Sequence, residues 1–178
     1  MKSILTLIAA TATTLTLSTQ VFADAGTINF KGSVVNAACD VAVNGNSTSD
    51  VVLGDWPTST FKTTGDKSRP QPFTLAVSNC NPGSYQFAFT GTADTTNTNL
   101  LKVSAATGVG IAITSADGAT PVAINTTSTG TSNAVVTTTG SAGAATGTLN
   151  LQAFYQATGA TVAAGAANAV ARVTIQQK

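Results

Sequence analysis

The chain has 178 residues, 43 % of them apolar and only 8 % charged, with eight Lys and Arg against seven Asp, no Glu, no His and two Cys. That near balance of charge gives no electrostatic case for nucleic acid or an anionic membrane surface. The missing His and Glu remove the groups most used for proton transfer and metal ligation near neutral pH, so an enzyme, a metal site and a bound cofactor are all unexpected.

Met1-Lys2-Ser3 is a short positive start, residues 4–17 are mostly apolar but diluted by threonine, and Val21-Phe22-Ala23 offers small or branched residues to a signal peptidase. Residues 1–23 are therefore expected to be a cleaved secretory leader rather than a membrane anchor, which needs about 20 predominantly apolar residues. Removal leaves 155 residues, enough for one domain, with seven charges of each sign because Lys2 leaves with the leader. Export also decides how Cys39 and Cys80 read, since an even pair in an oxidising compartment is expected to be bridged.

From Thr27 onward, short runs of Val, Ile, Phe and Thr alternate with Gly, Asn, Asp, Ser and Pro clusters, which predicts an all-β sandwich. Strands are expected at 27–43, with a bend near 36–38, and at 50–53, 72–78, 85–90, 100–103, 109–114, 122–125, 134–138, 148–157 and 170–177. Alternation puts Phe73, Leu75 and Val77 on one face, and Tyr85, Phe87 and Phe89 likewise, as the expected core. The Thr-, Ser- and Gly-rich stretch 126–147 reads as a short edge strand around Val135, not a linker.

The remaining signals are weak. Two sequons begin at Asn46 and Asn125, as expected by chance in so Thr-rich a chain, and Gly108-Val109-Gly110 opens a strand rather than a phosphate-binding helix. Lys62, Lys67 and Arg69 surround Asp66 and read as a solvated loop. Trp56 reads as a core plug, with sugar stacking as the rival.

The ends carry more. Gly26, Ile28 and Phe30 share one face of a terminal run, and Thr27, Asn29 and Lys31 share the other. At the opposite end Val173, Ile175 and Gln177 are expected by alternation to share the inward face of a terminal strand whose far side is left uncovered. The run Gly26-Thr27-Ile28-Asn29-Phe30-Lys31-Gly32-Ser33-Val34-Val35-Asn36-Ala37-Ala38-Cys39 resembles the start of type 1 fimbrial major pilins of the chaperone-usher pathway. Leu151-Gln152-Ala153-Phe154-Tyr155-Gln156-Ala157-Thr158-Gly159-Ala160 and Gly165-Ala166-Ala167-Asn168-Ala169 resemble that family's last core strands and the turn between them, and Ser78-Asn79-Cys80 matches its second cysteine.

The resemblance implies an incomplete immunoglobulin-like sandwich at 33–178 that lacks its final strand. It implies a groove filled first by a periplasmic chaperone and then, at an outer-membrane usher, by donor strand 24–32 of the next identical subunit. Ile28 and Phe30 would enter that groove, Gly26 would fill the position kept free of a side chain, and Val173, Ile175 and Gln177 would form the groove's terminal strand. Tip or adaptor pilins are further implied partners, and a fimbria on the cell surface that supports adhesion is the implied product. The chain departs from the family in having Gln177 where an aromatic residue is usual and only Asp24 and Ala25 ahead of Gly26. A minor or adaptor pilin, and a free-standing secreted carbohydrate-binding sandwich around Trp56 or Tyr155, are the alternatives.

Overall fold

The computed structural model describes residues 39–126 and 134–178. The expected leader, the donor segment with Gly26, Ile28 and Phe30, and most of the expected strand 27–43 lie outside the described residues.

Among the described residues, eight strands form two antiparallel sheets: β1 (Asp40–Val43), β2 (Gln71–Cys80), β3 (Gly83–Gly91), β4 (Leu101–Lys102), β5 (Val109–Ser115), β6 (Val135–Thr138), β7 (Ala145–Ala157) and β8 (Ala171–Gln177). One sheet has the order β1-β2-β7-β5-β4 and the other β6-β3-β8. The only helical piece among the described residues is a 3-10 turn at Thr58–Thr60.

The alternation seen in the sequence sets which faces meet. Leu75, Val77, Tyr85, Phe87 and Phe89 are at most 2 % exposed and Phe73 is also buried, so all six expected core residues lie between the sheets. Leu151, Ile111, Ile113 and Val136 join them from β7, β5 and β6. At about 25 cal/mol per Å² of apolar surface, this shared layer is the main favourable term in folding. A second small cluster of Leu100, Ala112 and Phe154 occupies the outer face of the larger sheet, where Lys67 Nζ lies 5.1 Å from the Phe154 ring centre.

Cys39 and Cys80 are bridged, with Cα atoms 4.7 Å apart and a separation of 41 residues. The bridge joins the start of β1 to the end of β2, beside the pair Asp40↔Ser78.

Two expected strands turn out differently. Residues 50–53 alternate in burial as a strand would, with Leu53 buried and Val52 77 % exposed, yet they belong to no ladder among the described residues. Residues 122–125 make only isolated bridges, Phe89↔Ile124 and its neighbour Thr114↔Pro121. There the Val122 and Asn125 N–H groups donate to the Ile113 and Phe89 carbonyls at 2.9 and 2.7 Å, and the Asn125 side chain extends the pairing by donating through Nδ2 to the Gly91 carbonyl at 2.8 Å and accepting from the Gly91 N–H at 2.9 Å. β6 is the expected edge strand. β7 begins at Ala145, earlier than expected, because Ala145, Thr146 and Gly147 carry little hydrophobic signal.

Candidate functional site

The site is a groove along β8. β8 pairs with β3 through the register Ala171↔Gly91, Val173↔Phe89, Ile175↔Phe87 and Gln177↔Tyr85. Among the described residues it has no strand on its other side, so there its outer N–H and C=O groups form an edge. Gly91 lets the start of β8 come close, since a Cβ there would lie 2.8 Å from the Val170 carbonyl oxygen.

The facing wall is the unpaired segment 49–55. Between wall and strand lies a groove of about 720 Å³, floored by Phe73, Leu75, Phe89, Ile111 and Ile113 and rimmed by Val170, Ala171 and Val173. Val52 and Val170 are 77 % and 85 % exposed, the large apolar side chains left in solvent among the described residues, and both line this groove. Phe73, Phe89 and Leu75 are buried, so the floor belongs to the core itself. An apolar channel beside an open strand edge can accept one extended chain: the edge supplies backbone hydrogen bonds, and the floor takes every second side chain.

The predicted strand residues fall on this frame unevenly. Val173 and Ile175 are half-buried and packed against the core, and Val173 lines the groove. Gln177 is exposed at the far end of β8.

At the other end of the groove a cavity of about 380 Å³ is lined by Asp55, Trp56, Phe61, Tyr155 and residues 162–168. The polar atoms of its aromatics are already used. Trp56 Nε1 donates to the Leu53 carbonyl at 2.8 Å and Tyr155 Oη donates to the Ala167 carbonyl at 3.1 Å. Burial pushes the Tyr155 phenol above its ordinary pKa, and the charge of Asp55 adds to the effect. Trp56 thus pins the wall and Tyr155 pins the turn before β8, so both hold the groove's end in shape. The wall itself was not legible as a site. Its only sequence signal is the short apolar run Val51-Val52-Leu53 between Asp50 and Gly54, which reads as one more strand.

The Lys62, Lys67 and Arg69 loop is organised from within. Asp66 accepts from the Lys62 and Thr63 N–H groups at 2.7 and 2.8 Å and from the Thr63 hydroxyl at 3.0 Å. Gly108 has φ +74° and turns the chain into β5. Among the described residues no group of His, Cys, Asp or Glu is placed to hold a metal, and no helix is long and apolar enough to cross a membrane.

Two antiparallel sheets tied by one disulfide, with a groove beside β8, form an immunoglobulin-like sandwich of the pilin type. The profile of the fimbrial protein family matches residues 28–177, and the chain belongs to that family. It is 37 % identical to a type-1 fimbrial protein subunit of Serratia marcescens across the full length of both chains. It is 36 % identical to the fimbrial subunit type 1 of Salmonella typhimurium, over 81 % of this chain and 78 % of that one. The crystal structure of the P pilus rod subunit PapA superimposes with a TM-score of 0.60 at 20 % identity, covering 78 % of this chain and 99 % of that one. The protein is a structural subunit of a fimbria.

Proposed function

We propose that the subunit polymerises head to tail by donating residues 24–32 to the groove of the next identical copy, where they pair with the free edge of β8. The observation that carries this reading is the open edge of β8 over an apolar floor, with Val52 and Val170 exposed at the rim. Residues 24–32 supply the complementary pattern, with Gly26, Ile28 and Phe30 on one face. Burying Ile28 and Phe30 contributes about 1.5–3 kcal/mol each, and each backbone hydrogen bond adds about 0.5–1.5 kcal/mol. Because donor and groove are different surfaces of one chain, their contact repeats without closing and builds a fibre.

An empty groove of this kind is also an aggregation hazard. The subunit therefore needs a temporary occupant during export, which is the role of a periplasmic chaperone that hands it to an outer-membrane usher. Tip or adaptor pilins would cap the fibre through the same joint, and the assembled fibre stands outside the cell.

Changing Ile28→Asp together with Phe30→Asp tests the reading in cells expressing the full chain with its own assembly proteins. Electron microscopy should show no fibres while the folded, disulfide-bonded subunit still accumulates. Fibres of normal length would refute the donor assignment.

A further inference from the structure

We propose that Asp55, with Asp50 on the same wall, sets the charge specificity of the groove by receiving the ammonium group of Lys31 from the incoming copy. This rests on the donor reading above. Six aspartates lie among the described residues, and four are satisfied within their own surroundings. Asp40 accepts from Asn79 Nδ2 at 2.6 Å, and Asp66 has the three partners given above. Asp94 accepts from the Thr96 and Asn97 N–H groups at 2.9 and 3.0 Å. Asp117 accepts from the Ala119 N–H at 3.0 Å and from the Ser115 hydroxyl.

Asp50 and Asp55 make no hydrogen bond and no ion pair among the described residues, and these two line the groove. Both are exposed. Among the described residues, no Lys or Arg lines the groove to balance them. The wall thus presents two uncompensated negative charges to whatever strand enters.

The donor segment carries the matching charge. Between Asp24 and Phe61 the sequence holds a single base, Lys31. Alternation puts Lys31 with Thr27 and Asn29, on the face opposite Ile28 and Phe30, so it belongs at the solvent-facing rim and not on the apolar floor. A lysine there can lay its stem along the rim and bring its charge to a carboxylate.

The pairing also fixes direction. Asp55 lines the end cavity together with residues 163–168, which lead into the start of β8. Lys31 sits near the carboxyl end of the donor. A contact between them makes the donor run antiparallel to β8 and resists a slip of the strand along the groove.

The test is a charge swap in the full chain, comparing wild type, Asp55→Lys, Lys31→Asp and the double variant, with Asp55→Asn as a milder control. Polymerisation rate is followed by the ladder of oligomers in unheated gels. Each single reversal should slow assembly about two- to fivefold at low ionic strength, a difference that shrinks near 0.5 M salt. Asp55→Asn should shift the rate in the same direction by less, and the double variant should return to within about twofold of wild type.

A double variant no faster than the slower single one would overturn the proposal, since the acids would then serve another occupant such as a chaperone strand. So would single reversals that match wild type. Ile28→Asp in the same assay separates the two levels. Fibres lost with Ile28→Asp but indifferent to charge leave the donor reading standing and sink only the Asp55 contact, whereas fibres that survive Ile28→Asp sink both.

Discussion

Ile175 stands directly opposite Phe87 in the β3–β8 ladder, yet Phe87 is fully buried and Ile175 only half-buried. The two side chains share a face of one sheet and differ because, among the described residues, β3 lies between two strands while β8 has one neighbour. Among the described residues, no strand covers Ile175 from the outer side of β8.

The first prediction follows from that difference. Phe87→Ala should cost about 3–5 kcal/mol, as for any large core truncation, in the lone subunit and the fibre alike. Ile175→Ala should cost less in the isolated subunit than in the fibre, where the proposed donor strand would cover it. Denaturant titration of both states checks this, and an equal cost in each would mean that the groove is not filled on assembly.

Much of this arrangement could be read from the sequence, and the unread part has a common cause. The alternation of Phe73, Leu75 and Val77 and of Tyr85, Phe87 and Phe89 identifies buried faces correctly, because burial by one face is a local, period-two property. Residues 50–53 read as a strand from the short apolar run Val51-Val52-Leu53, and their burial does alternate. Alternation, however, reports which side chains turn inward and not whether the backbone has a partner. The partner is what the groove lacks, so its wall looks like any other strand in the sequence. The Asn125 side chain likewise extends backbone pairing in a way that no pattern of apolar residues announces.

Gln177 is exposed at the end of β8, opposite Tyr85. Gln177→Tyr should therefore change the stability of the subunit by no more than about 0.5 kcal/mol, while strengthening capture by the chaperone in a pull-down. Loss of the folded subunit would show that the amide has a partner essential to the strand.

The bridge between Cys39 and Cys80 closes a loop that contains both β1 and the groove wall. Replacing both with alanine should destabilise the subunit by about 2–5 kcal/mol, chiefly by freeing the unfolded chain. Thermal melts check the cost. Peptide mapping without reduction should find the two cysteines linked in the native protein, and free thiols at both would contradict the fold.

Asp66 gives a pH dependence with a definite sign. Its carboxyl is held below the ordinary 3.8, first by the Thr63 N–H, then by the Thr63 hydroxyl and the Lys62 N–H. A depressed folded pKa contributes stability that is present above the unfolded value and is lost as pH falls through the folded one. Melts across about pH 2 to 6 should thus lose stability below about pH 4, and Asp66→Asn should flatten part of that loss. An unchanged acid limb in the variant would mean that the loop's hydrogen bonds survive protonation.

The joint between subunits is tested most directly by placing a photoreactive phenylalanine analogue at Phe30 and mixing isotopically labelled with unlabelled full-length chains during assembly. After irradiation of the fibres, mass spectrometry should find Phe30 joined to residues 49–55 or to β8 of a different copy, in mixed-isotope pairs. Cross-links confined to one copy, or attached to surfaces away from the groove, would contradict assembly through β8.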